Sequence, residues 1–179
     1  MGCCYAVIYL SSTGQERGRF SANILDRQME DNDRTILNMA YDTNNIFAKI
    51  LRGEIPCTKV YEDEHTLAFM DIMPQAEGHT LVITKEHAET ILDLSPTAAT
   101  AWIHTVQKVA KAVKTAMGVD GFVLMQLNGA AAGQSVPHVH FHILPTSLGA
   151  LMTRAHGERM GDLQQIQDYA EKIKAALAE

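Results

Sequence analysis

The most informative feature of the sequence is a group of three histidines at alternating positions, His138, His140 and His142. Side chains alternate between the two faces of a β-strand, so an extended backbone would place all three imidazoles on one face. The residues between them, Val139 and Phe141, would then point into a core. Because the pKa of histidine lies close to neutrality, such a row suits proton transfer, nucleophilic attack or metal binding.

A segment of small residues precedes the histidines, with the sequence NGAAAGQSVP from Asn128 to Pro137. Where side chains are small, backbone amides can approach an anion closely. The pattern therefore indicates a loop whose amides bind a negatively charged group next to the histidines.

Length and composition restrict the class of protein. The chain of 179 residues, 46% hydrophobic and 20% charged, fits one globular domain with its own core. A net charge of -6 argues against a protein that binds a nucleic-acid backbone, although a small nucleotide remains a possible ligand. No segment approaches the ~20 apolar residues of a transmembrane helix. Three cysteines, Cys3, Cys4 and Cys57, do not make a disulfide framework, so we predict a cytoplasmic protein without membrane association.

The sequence changes character near residue 40. Residues 11–38 are polar, and we treat residues 1–40 as an N-terminal extension without an assigned function and residues 41–179 as the domain. Within the domain, the apolar pattern predicts five strands, over residues 59–62, 66–72, 80–84, 122–127 and 138–144.

Capping residues predict the helices of the domain. Asn44 or Asn45 starts a short helix whose buried side carries Ile46, Phe47, Ile50 and Leu51. A long helix starts at Ser95-Pro96 and stops at Gly118, and Asp162 caps a last helix. Hairpin-like links between the first three strands, and a long helix before the fourth, predict an α+β fold with a mainly antiparallel sheet.

These motifs resemble the histidine triad (HIT) family, whose motif alternates histidine with apolar residues as His138 to Leu144 do. The resemblance runs from Asn45 to Leu144 and is closest to the histidine triad nucleotide-binding proteins, which are purine nucleoside phosphoramidases. It implies a HIT-like fold whose sheet continues across a homodimer, and no cofactor. The other matching segments are Ile46–Ile50, Gly53–Pro56, Tyr61–Glu64, Ala68–Ala76, Gly78–Ile83 and Gly133–Pro137.

The resemblance also implies a covalent mechanism. His140 would attack the α-phosphorus of a purine nucleotide conjugate to form a nucleotidyl-histidine, and water would release the nucleoside monophosphate. His138 and His142 would orient His140 and contact phosphate, and His79 would join them from a neighbouring strand. The remaining phosphate-binding groups would be Ser135, the amides of Gly133, Gln134 and Val136, and Asn128, which would hold Ser135 or a phosphate oxygen.

For the nucleoside, the resemblance places Asp71 on the ribose hydroxyls. The alternative is that this carboxylate caps the turn before Pro74. His87 is expected either to contact substrate or to lie in an exposed loop. The residues expected to form the apolar slot for the purine, each of which also fits a simple core, are Phe47, Phe69, Met70 and Ile72.

Alternatives to this function also follow from the sequence. Some bacterial relatives bind zinc through paired cysteines where this chain has Asn45 and Ala48, so we predict no metal. A dinucleoside polyphosphate hydrolase of the same superfamily, and a purine-nucleotide-binding protein with little turnover, remain open. Ser135 and His142 favour the phosphoramidase branch. We also expect the homodimer because Trp102 is large and requires a partner surface.

Overall fold

A computed structural model of the chain describes residues 41–153 and 159–178. The predicted extension, residues 1–40, lies outside the described residues. The strands are β1 (Lys59–Glu62), β2 (Thr66–Met70), β3 (Thr80–Thr84), β4 (Val123–Gln126) and β5 (His140–Leu144). The helices are α1 (Ile46–Leu51), α2 (Pro96–Met117), α3 (Leu148–Leu151) and α4 (Leu163–Leu177), and short 3-10 turns span Ile91–Asp93 and Ala130–Ala132.

The five strands form one sheet in the order β1-β2-β3-β5-β4. Every neighbouring pair is antiparallel, so the predicted α+β fold with a mainly antiparallel sheet is confirmed. The pairing of β3 with β5 sets Leu81 opposite His142 and Ile83 opposite His140. The histidine strand therefore lies inside the sheet, between β3 and β4.

The helix boundaries follow the capping residues. The side chains of Asn45, Ser95 and Asp162 accept the amides of Ala48, Ala98 and Gln165, respectively. An N-cap of this kind stabilises a helix by about 1 kcal/mol. Helix α2 ends at Gly118, whose φ of 62° is in the left-handed region that favours glycine. Within the described ranges, no helix is long and apolar enough to cross a membrane.

Helices α2 and α4 cover one face of the sheet and form the larger core with it. Trp102 of α2 is 1% exposed, and its indole N–H donates to the carbonyl of Val82 at 2.9 Å. Its ring lies 4.4 Å from the ring of Phe141. The expectation that Trp102 requires a second copy of the chain was wrong, because the sheet of the same chain covers it.

The opposite face of the sheet carries a smaller core that includes Phe47 of α1. The first helix turns fewer residues inward than predicted, since Ile46 is 43% exposed. Strand β2 also ends two residues before its predicted end. Ile72 therefore lies beyond the strand.

Candidate active site on the histidine strand

The histidines of the motif lie together on the face of the sheet that α2 and α4 leave uncovered. His140 and His142 of β5 and His138 before it are all buried, as is His79, which directly precedes β3. Nε2 of His79 lies 2.9 Å from Nδ1 of His142. His79, which was predicted to join the three histidines from a neighbouring strand, thus forms a hydrogen bond with His142.

The protonation of His140 is set by the backbone. Its Nδ1 lies 2.6 Å from the carbonyl oxygen of His138. A carbonyl oxygen can only accept, so Nδ1 of His140 carries the proton. In the neutral imidazole the lone pair is then at Nε2, which is the arrangement that a nitrogen nucleophile requires.

His138 is held at both ring nitrogens. Its Nε2 donates to the carbonyl of Thr84 at 2.9 Å, and its Nδ1 accepts a hydrogen bond from the hydroxyl of Tyr41. Burial of the ring lowers the pKa of His138 to about 4, and the charge that His140 would carry if protonated acts in the same direction, whereas the hydrogen bond to Thr84 opposes it. His138 is therefore a neutral imidazole at neutral pH.

Asp71 lies behind His79. Its Oδ1 accepts the amide of Met73 at 2.8 Å, and its Oδ2 is 3.3 Å from Nδ1 of His79. The amide of Gln75 also donates to this Nδ1, at 3.3 Å. Neutral His79 can accept from Gln75 while donating to His142 through Nε2, and protonated His79 can donate to the Asp71 carboxylate instead. Asp71 thus caps the turn that contains Met73 and also contacts the ring of His79.

An apolar wall, made by Phe47, Phe69 and Val136, adjoins the histidines. The ring of Phe47 meets His140 edge-on at 5.1 Å and Phe69 at 5.5 Å, and Val136 packs against the same cluster. Phe47 and Phe69, which were predicted for the purine slot, and Val136, which was predicted for the loop, therefore lie on the same face of the sheet as the histidines.

The other two predicted slot residues are elsewhere. Met70 is 2% exposed and belongs to the core under α2 and α4, on the opposite face, because it follows Phe69 directly along the strand. Ile72 is 46% exposed beyond the end of β2. Met70 thus lies on the face opposite Phe69 and Ile72 lies beyond β2, and the part of both residues in a purine slot stays a prediction.

The glycine-rich loop is organised by Gln134, which is buried. Its side-chain oxygen accepts the amide of Gly129 at 2.6 Å, and its side-chain nitrogen donates to the carbonyls of Glu89 and Val136 at 2.7 and 3.0 Å. The side chain of Gln134 thus holds the loop closed.

The backbone amides of the loop are partly used as well. The amides of Gly133 and Gln134 donate to the carbonyls of Ala130 and Gly129, so an anion would be met by those of Ser135 and Val136. Gly133 has a φ of 92°, which ends the 3-10 turn in a conformation that favours glycine. Two of the three amides predicted to bind phosphate, those of Gly133 and Gln134, thus donate within the loop.

Asn128 takes part in a different contact from the one expected. Its side-chain oxygen accepts the amide of Ile91 at 2.9 Å, and its side-chain nitrogen donates to Gln126 at 2.6 Å. In this structure Asn128 ties the loop to the turn before α2, and its predicted contact with Ser135 or a phosphate oxygen stays a prediction. Ser135 itself is exposed at the rim of the loop.

Two contacts around His138 were not expected from the sequence. Tyr41 precedes α1, and its ring stacks on that of His87 at 4.8 Å with the planes 9° apart. His87 is exposed and reaches the site through Tyr41. Thr84 contacts His138 only through its backbone carbonyl, so this contact could not be predicted from its residue type. Tyr41, at the start of the domain, could have been considered from the sequence as a hydroxyl donor.

Among the residues that the structure describes, Asp71, His79 and His142 could converge on a metal ion, with ligand atoms within 4.8 Å of one another. The 2.9 Å contact between His79 and His142 is that of a hydrogen bond between imidazoles. The geometry is therefore explained by a proton-sharing chain.

Comparison with known proteins gives consistent matches. The HIT domain profile matches residues 52–148. The Bacillus subtilis protein called protein hit is 42% identical over 139 residues, which are 74% of this chain and 96% of that protein. A Schizosaccharomyces pombe protein named adenosine 5′-monophosphoramidase is 46% identical over 100 residues, 56% of this chain and 72% of that protein.

A solved structure shares the fold. The HIT-like protein of Bartonella henselae, described as involved in cell-cycle regulation and solved with an unknown ligand, superimposes with a TM-score of 0.70. The two sequences are 48% identical, and the match covers 76% of this chain and 98% of that protein.

Proposed function

The chain belongs to the HIT domain family, and on that premise we propose that it hydrolyses purine nucleotide conjugates, with purine nucleoside phosphoramidates as its substrates. The observation that carries this proposal is the hydrogen bond from Nδ1 of His140 to the carbonyl of His138. It supports a neutral imidazole whose Nε2 lone pair can attack phosphorus.

In the first step, Nε2 of His140 forms a bond to the α-phosphorus while the bond from phosphorus to the leaving nitrogen breaks. The leaving amine takes the bonding electron pair and a proton. The phosphorylated imidazole becomes positively charged, and its Nδ1–H bond to the carbonyl of His138 strengthens because the donor is now ionised. In the second step, water attacks phosphorus and gives its proton to Nε2 of His142, the bond from phosphorus to Nε2 of His140 breaks with its electron pair returning to that nitrogen, and the nucleoside monophosphate leaves.

His142 is suited to supply a proton in this reaction. When His79 accepts from Gln75 at Nδ1 and donates from Nε2, Nδ1 of His142 accepts and its Nε2 carries the proton. That N–H can donate to a phosphate oxygen or to the leaving amine. Protonated His79 would replenish His142 by passing its Nε2 proton to Nδ1 of His142, and it would then be a neutral ring whose Nδ1–H donates to the Asp71 carboxylate.

The nucleoside would lie against the apolar wall of Phe47, Phe69 and Val136, and the Asp71 carboxylate would accept hydrogen bonds from the ribose hydroxyls. An ionised carboxylate only accepts hydrogen bonds, which suits the two hydroxyl donors of a ribose. The phosphate would be met by the amides of Ser135 and Val136 and by the hydroxyl of Ser135, as preorganised donors.

Incubation with adenosine 5′-phosphoramidate and, separately, with a diadenosine polyphosphate tests the substrate class. We expect AMP and ammonia from the first at a much higher rate than nucleotides from the second. Faster cleavage of the polyphosphate would identify a dinucleoside polyphosphate hydrolase. Tight AMP binding with neither reaction would identify a binding protein.

The homodimer and the cytoplasmic location stay predictions. Strand β4 is an edge of the sheet and carries Leu124, which is 43% exposed. Edge strands with exposed apolar side chains are places where a second chain can pair. Light scattering at micromolar concentration should give the mass of a dimer, and a monomer would contradict the prediction.

A further inference from the structure

Tyr41 reaches the histidines from the segment that precedes α1. Its hydroxyl bonds Nδ1 of His138, which follows 97 positions later. We propose, on the basis of the function proposed above, that Tyr41 is a positioning residue. It holds the imidazole of His138, and with it the carbonyl that fixes the protonation of His140.

The direction of each bond around His138 can be deduced. The Thr84 carbonyl can only accept, so Nε2 of His138 carries the proton of the neutral ring. Nδ1 then carries a lone pair, and the hydroxyl of Tyr41 must donate to it. Each ring nitrogen thus has a partner of the correct kind, and a rotation or flip of the ring would break both bonds.

The hydroxyl is suited to be a permanent donor. Burial raises the pKa of Tyr41 above its usual value, and Asp42 acts in the same direction, whereas Asn45 and Arg52 oppose it. The phenol therefore stays protonated throughout the neutral range. His138 also stays neutral there, because burial disfavours its charged form and because any charge on His140 or His87 would act in the same direction.

The ring of His138 is connected to His140 through one residue of backbone. The amide of His138 donates to the carbonyl of Val136 at 2.8 Å, and its carbonyl accepts from His140 at 2.6 Å. Fixing the ring from both sides fixes the peptide between these two bonds. Without the Tyr41 hydroxyl, a buried nitrogen would lack its donor, which is costly, and the ring would be held at one end only.

The substitution Tyr41→Phe tests the proposal, because it keeps the ring that stacks on His87 and removes only the hydroxyl. We expect kcat for adenosine 5′-phosphoramidate to fall about tenfold, as for a loss of about 1.4 kcal/mol in the transition state, with KM nearly unchanged. The ¹⁵N resonance of His138 Nδ1 should move toward the value of an acceptor without a donor.

Tyr61→Phe is the matched control. Tyr61 packs against the other core, where Lys108 lies 4.2 Å from its ring centroid. Loss of this hydroxyl should change neither kcat nor the His138 resonance. A coupling between the Tyr41 hydroxyl proton and Nδ1 of His138 in the unsubstituted protein gives the same information even if Tyr41→Phe does not fold.

The outcomes separate this proposal from the proposed function. If the unsubstituted protein does not cleave the phosphoramidate, the proposed function fails and the ¹⁵N data still decide whether Tyr41 bonds His138. An unchanged His138 resonance in Tyr41→Phe overturns the bond. A changed resonance with unchanged kcat overturns the positioning role.

Discussion

The Nδ1 proton of His140 is bound by the backbone carbonyl of His138 and not by a side chain. The orientation of the proposed nucleophile is therefore independent of the residue type at position 138, as long as the backbone keeps its course. The ring of His138 helps to hold this backbone in place, because it is hydrogen-bonded to Tyr41 and Thr84. Removal of the His138 ring should consequently cost much less activity than removal of the His140 ring.

Asp71→Ala should weaken the binding of AMP and hardly affect 2′,3′-dideoxy-AMP. Charge-assisted hydrogen bonds are lost only where the hydroxyls exist, at about 1.5–3 kcal/mol each. Dissociation constants measured by calorimetry isolate this effect from the contact that Asp71 makes with His79, which would act on turnover of both ligands.

Glu64→Ala removes the same charge from an exposed turn and serves as the control for Asp71→Ala. It should leave both dissociation constants unchanged. Equal losses of affinity for AMP and for its dideoxy analogue in Asp71→Ala would remove Asp71 from the ribose site.

The strands and helix starts could be predicted because their signals are local. Asn45, Ser95 and Asp162 cap the helices within three residues of themselves, and the period of two places the histidines on one face. The same period places Met70 on the face opposite Phe69, so this separation could also have been predicted from the sequence.

Other parts of the site depend on partners far along the chain. Tyr41 meets His138, and Gln134 meets Glu89 45 positions earlier. A residue type shows that a side chain can donate or accept, but not which group the fold brings to it. For the same reason the large ring of Trp102 indicated an apolar partner without indicating that it is the sheet of the same chain.

Deletion of residues 1–38 should leave turnover and melting temperature nearly unchanged, because all the site residues named above lie after that point. A deletion that extends through Tyr41 should lower turnover, since it removes the donor to His138. The pair of truncations thus places the functional boundary of the domain. Loss of solubility or activity in the shorter deletion would instead make the extension structural.

The buried neutral His138 should make stability depend on pH. Its pKa is about 4 in the folded protein and near 6.5 when unfolded, so the unfolded chain binds more protons between these values. The free energy of unfolding therefore falls as the pH is lowered from 6.5 toward 4, by up to about 3 kcal/mol from this group, and His138 causes no further loss below that window.

Urea unfolding at pH 7, 6 and 5 measures this effect. The variant His138→Gln removes the titrating ring while every other group is retained, so its stability should fall less over the same interval. Parallel pH dependences in the two proteins would show that His138 is not buried in its neutral form.

His140→Ala should reduce turnover by several orders of magnitude while nucleotide binding persists. Loss of the nucleophile has cost about a million-fold in kcat in another hydrolase. His138 is bonded at both ring nitrogens, and the ring of His142 lies 4.8 Å from that of His140 and is bonded to His79, so neither replaces His140 without a change of pose. A quench during turnover should leave an acid-labile, base-stable nucleotidyl adduct on the peptide that contains His140.

His138→Ala should still form this adduct, because it keeps the carbonyl that accepts from His140. Normal activity in His140→Ala without any adduct would disprove the covalent mechanism.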